Sequence, residues 1–153
     1  MKLIWTGKRH SAAFYASLLL AIAALITGCQ IPVLEGAECR DAKNYVREFY
    51  SFHIGNDMHP SPEGLELRKR FLTPQLAATL AGAMDGQTDY FTQTVNDYPR
   101  AFQVAGCTST DANSAIVEVL VFWKDDVRTE QRSLKVEAVK SEDRWLINKV
   151  SKN

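Results

Sequence analysis

The sequence predicts an α+β domain in which N-terminal helices pack on one face of an antiparallel sheet. Three observations support this fold class. Apolar residues recur at helical spacing after residue 40, apolar and polar residues alternate in strand-like segments after residue 100, and short polar turns join those segments. Because the helices come first and the hairpin-linked strands follow, the two kinds of element form separate layers.

The first predicted helix spans residues 41–53. Asp41 is a candidate N-terminal cap, and Gly55-Asn56 provides a stop signal. The apolar stripe that would face the core consists of Ala42, Tyr45, Val46, Phe49 and Tyr50. Their spacing places them on one side of the helix, so this helix is expected to cover the sheet.

Two more helices are predicted after a proline-containing loop. A short helix covers residues 65–70, and Thr73-Pro74 is a start signal for a third helix that runs to about Met84. The triplet Arg68-Lys69-Arg70 lies on the short helix and is interpreted as a solvated face, since a short basic run is a common feature of exposed helices.

A long loop is predicted next, over residues 85–99, with room for one helical turn. Four strands follow, over residues 101–105, 115–124, 131–140 and 144–151. Turn residues at Lys124-Asp125-Asp126 and Ser141-Glu142-Asp143 indicate that these strands form an antiparallel meander.

The N-terminus has the layout of a secretory signal peptide. Lys2, Lys8 and Arg9 provide a basic start, and residues 12–26 are apolar apart from one serine. Fifteen helical residues span roughly 22 Å, which is short for a hydrocarbon core of roughly 30 Å, so a cleaved signal is favoured over a membrane-spanning anchor.

The end of this signal, Ile26-Thr27-Gly28-Cys29, resembles the lipobox of bacterial lipoproteins. The resemblance implies cleavage before Cys29, a diacylglycerol thioether on its sulfur, and acylation of the new amino group with a chain such as palmitate. An ordinary signal peptide with a chance cysteine is the alternative. Gln30 stands where aspartate would signal retention in the inner membrane, so the outer membrane facing the periplasm is expected.

These expectations divide the chain into a signal peptide (1–28), a tether (29–38) and one domain (39–153). The signal holds three of the 18 basic residues and none of the 18 acidic ones, which gives the mature chain a net charge of −3. A nucleic-acid partner is not expected, because an anionic chain in the envelope lacks a basic face for phosphates.

With Cys29 used by lipid, Cys39 and Cys107 remain. Two thiols in an oxidising compartment usually pair, so a structural disulfide between them is predicted. A redox or metal site is the alternative, but the sequence offers no CxxC motif and no nearby histidines.

The search for chemistry centres on a few polar residues. His53, Asp57 and His59 form an irregular set that is interpreted as solvated loop residues, so neither a metal nor any other cofactor is expected. Asp89 and Asp97 lie in the long loop. Asp97 paired with His53 is the catalytic candidate, and a carboxylate near Tyr90 and Phe91 would have a raised pKa. The alternative is that these residues only build turns.

Aromatic residues provide the candidate binding surface. Tyr50 on the first helix and Trp145 on the last strand are candidates for lining a ligand pocket, although aromatic stripes are commonly core. Phe122 and Trp123 are adjacent in a strand and must point to opposite faces, so one of them is expected to leave the core and offer a partner surface.

Four short stretches carry a family resemblance: residues 46–50 (VREFY), 71–76 (FLTPQL), Asn96-Asp97 and 144–150 (RWLINKV). Their order over residues 42–151 resembles a family of bacterial envelope lipoproteins built on a domain of unknown function. The helix-then-sheet order resembles the cone-shaped superfamily typified by nuclear transport factor 2. This resemblance implies a curved, cystatin-like sheet wrapped around a pocket and brings no established activity.

The sequence therefore favours a non-enzymatic envelope lipoprotein, held to the membrane through Cys29, that binds a protein partner or a small ligand. Asp89, Asp97, Tyr50, Trp123 and Trp145 are the candidate binding residues. The alternatives are a pocket enzyme of the hydrolase or isomerase kind that uses Asp97, and an envelope inhibitor or immunity protein.

Overall fold

The computed structural model describes residues 35–83, 86–124 and 126–153. The predicted signal peptide, Cys29 and most of the tether lie outside the described residues, as do the predicted helix end at Met84 and Asp125 of the first predicted turn. Within the described part of the chain, no helix is long and apolar enough to cross a membrane.

Three helices precede a four-stranded sheet, which confirms the predicted α+β class. The helices are α1 (Ala37–Ile54), α2 (Pro62–Arg68), continued by a 3₁₀ turn (Lys69–Phe71), and α3 (Pro74–Ala83). A small hairpin follows, formed by β1 (Thr88–Asp89) and β2 (Thr94–Val95). The main strands are β3 (Ala101–Asp111), β4 (Ser114–Lys124), β5 (Thr129–Ser141) and β6 (Arg144–Lys152).

Helix α1 begins one turn earlier than predicted, and Asp41 is not its cap. Gly36 occupies the cap position without a side-chain bond, and its carbonyl accepts the Arg40 N–H at 3.1 Å. The extra turn includes Ala37 and Glu38, which the prediction assigned to the tether. It also carries Cys39 into the domain, where its side chain is buried.

The two other helices both begin after a hydroxyl side chain that caps them. Ser61 caps α2 by accepting the Gly64 N–H at 2.9 Å, so α2 starts at Pro62, three residues before the predicted start. The predicted cap of α3 is confirmed, because the Thr73 hydroxyl accepts the Leu76 N–H at 3.2 Å.

The predicted antiparallel meander is confirmed, with strand order β3-β4-β5-β6. Strand β3 is longer than predicted, because its polar second half, residues 106–111, continues to pair with β4 beyond an irregularity between Val104 and Cys107. The polar composition of this half did not predict a strand. Its extended conformation is stabilised by backbone pairing with β4 rather than by apolar side chains.

The segment predicted as a long loop contains the β1–β2 hairpin, in which Asp89 pairs with Thr94. Strands of two residues carry no periodicity, so no pattern of residues indicates them. The hairpin folds this segment inward, and Asp89, Thr92 and Thr94 are all buried.

The core lies between α1 and one face of the sheet. Strand β4 alternates strictly, with Val117, Val119, Val121 and Trp123 all buried on the face toward α1. On the helix, the predicted stripe supplies Ala42, Val46, Phe49 and Tyr50, all without solvent exposure. Burial of this apolar surface fixes the helix on the sheet.

The predicted disulfide is confirmed. Cys39 of α1 and Cys107 of β3 are bonded, with a Cα–Cα distance of 5.7 Å and a sequence separation of 68. Closing a loop of this length stabilises the fold by roughly 4 kcal/mol in the chain-entropy account. The bond ties the start of α1 to the edge strand of the sheet.

Candidate functional site

A cavity of about 660 Å³ opens beside the end of α1. Every layer of the domain contributes to its wall, through α1, α2, α3, the β1–β2 hairpin and the end of β6. Its apolar lining residues are Met58, Pro60, Leu65, Leu80, Phe91 and Val150. A cavity of this size with apolar walls and a few polar groups is typical of small-molecule sites, which commonly measure about 300–1,000 Å³.

His53 lies at the base of this cavity and continues the buried stripe of α1 one turn beyond Phe49 and Tyr50. Only 1% of its surface is exposed. Its ring stacks on Phe49 at a centroid distance of 5.5 Å and an interplanar angle of 7°, and it meets the edge of Phe91 at 5.1 Å. The prediction that His53 is a solvated residue is therefore wrong, because Phe49 and Phe91 cover its ring.

Both ring nitrogens of His53 are hydrogen-bonded to charged side chains. Arg68 Nε donates to His53 Nδ1 at 2.7 Å, and His53 Nε2 lies 2.9 Å from Asp89 Oδ2. A guanidinium can only donate, so Nδ1 must accept and the ring proton sits on Nε2, which donates to Asp89. The result is a buried relay, Arg68–His53–Asp89, in which a neutral imidazole separates a cation from an anion.

Asp89 is held by donors on both of its oxygens. The Phe91 N–H donates to Oδ1 at 3.1 Å, and the Thr92 hydroxyl and His53 both donate to Oδ2. Thr92 in turn lies 2.8 Å from the Thr94 hydroxyl. Burial alone would raise the pKa of Asp89, but the donors from His53, Thr92 and Phe91 outweigh it and lower that pKa.

The prediction of a raised carboxylate pKa in this segment is therefore wrong. That prediction considered only the apolar neighbours Tyr90 and Phe91, which do lie beside Asp89. Phe91 contributes its backbone N–H as well as its ring. The hairpin therefore directs a backbone donor at the carboxylate and stabilises its negative charge within apolar surroundings.

Arg68 occupies the other end of the relay, and only 4% of its surface is exposed. Besides His53, its guanidinium donates to the backbone carbonyls of Gly64 at 2.8 Å and Asp57 at 2.7 Å. Burial lowers its pKa, against the opposing attraction of Asp89 and Asp57. Of the basic triplet predicted to be a solvated face, Lys69 and Arg70 are exposed, but Arg68 is turned into the domain.

Asp97 lies in a different place, at a second cavity of about 610 Å³ lined largely by polar residues. Both of its carboxylate oxygens accept from Arg128, at 2.9 and 3.0 Å, and this pairing lowers the pKa of Asp97. Its backbone carbonyl accepts the Trp123 indole N–H at 3.2 Å. The predicted pairing of Asp97 with His53 is wrong, since His53 bonds Asp89.

The aromatic candidates are placed in the interior. Tyr50 is fully buried and donates to the Phe91 carbonyl at 2.8 Å, and Trp145 is buried in the core. Trp123 is 2% exposed, and Arg132 and Arg128 lie over its ring at 4.6 and 5.7 Å. Phe122 points to the other face as predicted but is only half-buried, so neither aromatic is fully exposed.

Among the described residues, no group of three or more histidine, cysteine, aspartate or glutamate side chains could hold a metal ion. His59 and Asp57, two members of the irregular set noted in the sequence, bond each other at 2.6 Å on the surface.

The comparisons with known proteins bear on the fold. No family model matches the chain. A search of curated proteins also finds no match. Among solved structures, an NTF2-like potential transfer protein, TraM from the Gram-positive conjugative plasmid pIP501, has a TM-score of 0.52 and 11% identity, covering 74% of this chain and 95% of that one. A protein of unknown function from Bacteroides thetaiotaomicron has a TM-score of 0.47 and 17% identity, covering 89% of this chain and 98% of its own.

At such low identity the likeness to TraM concerns the fold alone. It agrees with the architecture, three helices packed on a four-stranded antiparallel sheet, and with the resemblance noted in the sequence. The chain has an NTF2-like α+β fold.

Proposed function

We propose that this protein is an envelope lipoprotein whose NTF2-like domain binds a small, largely apolar ligand in the cavity beside the Arg68–His53–Asp89 relay. The observation that carries the proposal is the cavity itself. Apolar side chains from four elements form most of its wall, and the polar groups converge from α1, α2 and the hairpin. Rigid, pre-formed walls with few polar groups bind ligands at a low entropic cost.

The relay supports binding rather than catalysis. A general base needs a free lone pair within reach of its substrate, and both nitrogens of His53 are already engaged. Asp89 has a lowered pKa, and so does Asp97, which the alternative enzyme hypothesis requires as the base. A lowered pKa makes a carboxylate a weaker proton acceptor at neutral pH.

The proposed location follows from the N-terminal sequence. Cleavage before Cys29 and acylation there would anchor the chain, and the absence of aspartate at position 30 favours the outer membrane. Since α1 starts at Ala37, seven residues separate Cys29 from the first helix. Even fully extended they reach only about 25 Å, so the start of α1 would be held near the bilayer.

The anchor is tested by metabolic labelling with radioactive palmitate in a Gram-negative host. The wild-type chain is expected to incorporate label and to sediment with outer-membrane fractions. Cys29→Ala should lose the label, whereas Ser51→Ala, at an exposed position of α1, should retain it. Equal labelling of the wild type and Cys29→Ala would exclude acylation at this site.

Binding is tested by purifying the full chain from envelopes and identifying small molecules released by organic extraction with mass spectrometry. Leu80 of α3 lines the cavity, whereas Ala78 on the same helix is exposed and does not. Leu80→Trp should fill the cavity and abolish recovery of the ligand. Ala78→Trp introduces the same side chain outside the cavity and should leave recovery unchanged. Equal recovery from both variants would refute the proposal.

A further inference from the structure

We infer that the ligand is an amphipathic anion: a hydrocarbon body that fills the cavity and an acidic group that is bound by Arg68. This inference rests on the proposed function, because it names the chemistry of the molecule that the same cavity would hold. It depends on the unusual situation of Arg68, on the charges of the cavity wall and on the lining of its interior.

Arg68 is a buried cation without a direct counter-ion. No carboxylate in the described parts of the chain lies within 4 Å of its guanidinium. Its three hydrogen-bond acceptors, the His53 ring and two backbone carbonyls, are all neutral. Burying a charge is unfavourable unless an opposite charge accompanies it, so an anion beside Arg68 would relieve a penalty that the folded chain now carries.

Arg68 also has donors to spare. A guanidinium has five N–H groups, and three are used, one on each nitrogen. One N–H on each terminal nitrogen therefore has no acceptor among the described residues. Each of these two N–H groups can donate to an oxygen of a carboxylate or phosphate, and charge-assisted hydrogen bonds of this kind are strong.

His53 and Asp89 hold Arg68 ready for this contact. The Nε–Nδ1 hydrogen bond fixes the guanidinium plane, and the stacked Phe49 fixes the imidazole. Asp89 cannot itself take the place of the ligand anion, because the imidazole lies between it and Arg68. Nor does it offer a strong site for a ligand cation, since donors occupy both of its oxygens.

The charges of the wall point the same way. Asp89 is the one carboxylate among the described lining residues, and it faces three cations, Arg68, Lys149 and Lys152. Lys149 has an ion pair with Glu137 at 3.4 Å, outside the cavity, so the excess is about one positive charge at the mouth. This field attracts anions and repels cations.

Apolar side chains predominate in the rest of the lining and favour a hydrocarbon body for the ligand. Leu65, Leu80, Phe91 and Val150 come from four different elements and offer no hydrogen-bond partner in their side chains. Polar groups of a ligand placed against these four side chains would find no partner, which is unfavourable. A fatty acid and a phospholipid with one acyl chain share the required chemistry.

The test uses the full chain in nanodiscs and photoreactive twelve-carbon probes that carry a diazirine. The probes are dodecanoate, its neutral alcohol, its cationic amine and a lysophosphatidylglycerol with the same chain. Labelled residues are mapped by mass spectrometry. Dodecanoate is expected to label cavity residues about tenfold more than the alcohol, as a charge-assisted pair of ordinary strength implies, and the amine is expected to label least.

The variants assign this preference to Arg68. Arg68→Lys keeps the charge but loses the paired donors, and it should reduce the preference for dodecanoate over the alcohol several-fold. Arg70→Lys makes the same change at an exposed neighbour and should have no effect. If Arg68→Lys fails to fold, Lys152→Gln remains informative, since it should lower labelling by dodecanoate but not by the alcohol.

The outcomes separate the inference from the proposed function. If no probe labels the cavity, the proposed function fails. If the anion, alcohol and amine label it equally, the cavity binds apolar molecules but the inference is overturned. If Arg68→Lys and Lys152→Gln both keep the preference, the assignment of the anion site is wrong. Stronger labelling by lysophosphatidylglycerol than by dodecanoate supports a membrane lipid as the source, and the reverse supports a free fatty acid.

Discussion

Asp89 and Asp97 lie eight positions apart in one turn-rich segment, and hydrogen-bond donors lower the pKa of both, but in opposite surroundings. Asp89 is buried, and hydrogen-bond donors on both of its oxygens stabilise its charge against the effect of burial. Asp97 is 42% exposed and is stabilised by one arginine. A lowered pKa alone therefore does not reveal how much a carboxylate contributes to stability.

The difference follows from what replaces water around each group. When Asp89 loses a partner, no water is available in its place, so the penalty is the full cost of an unsatisfied buried group. When Asp97 loses Arg128, solvent takes over. The first carboxylate should behave as part of the core and the second as an ordinary surface ion pair.

The largest expected effect is that of Asp89→Asn. A carboxylate accepts on both oxygens, but an amide has one acceptor oxygen, so either the Phe91 N–H or the donors from His53 and Thr92 would face an NH₂ group. The free energy of unfolding should fall by about 3 kcal/mol, measured by urea denaturation of the full chain. A loss below about 1 kcal/mol would show that the buried relay contributes no more than a surface pair.

The acid dependence of stability should sharpen the comparison. The folded pKa of Asp89 lies below its unfolded value near 4, so its contribution is fully present above about pH 4 and is lost as pH falls through the folded pKa. The difference in unfolding free energy between wild type and Asp89→Asn should therefore shrink as pH drops from 5 to about 2. Since other carboxylates are common to both chains, a constant difference would contradict the assignment.

A smaller effect is expected from Thr92→Val, which replaces the hydroxyl by a methyl group of nearly the same volume. Thr92 is fully buried and donates to Asp89, so the carboxylate would lose one of three donors. We expect a loss of about 1–2 kcal/mol in the free energy of unfolding. Thr94→Val is the matched control, because Thr94 reaches only the Thr92 hydroxyl and not the carboxylate. An equal loss in both variants would place the effect in the hairpin rather than in the relay.

Much of the fold was predictable because its signals are local. The stripe of α1, the Thr73-Pro74 start, the apolar run of β4 and the alternation of β5 each arise within one element, and the core confirms them. The disulfide was predictable because the predicted acylation of Cys29 leaves two cysteines, and two thiols in the predicted oxidising compartment usually pair. Each of these predictions needs only the residues of one segment or, for the disulfide, the number of cysteines.

The relay was not predictable because its members come from three separate segments. His53 continues the apolar stripe at the proper spacing, i+3 from Tyr50, which was the available signal that it is buried. Arg68 likewise follows Leu65 at i+3, but a basic side chain is rarely buried without a partner, and its partner could not be identified from the sequence. Asp89 reaches His53 only because the β1–β2 hairpin folds inward, and strands of two residues are too short to show a periodic pattern in the sequence.

The smallest expected effect is that of Asp97→Asn, which keeps the size of the side chain and removes the charge that pairs with Arg128. Because Asp97 and Arg128 are 42% and 37% exposed, the loss in unfolding free energy should be below about 1 kcal/mol. It should also weaken as salt rises toward 1 M, where screening acts within roughly 3 Å, while the loss in Asp89→Asn should not depend on salt. Denaturation of both variants at low and high salt measures this. Equal salt dependence would mean that burial, on which the contrast between the two carboxylates rests, does not control their contributions to stability.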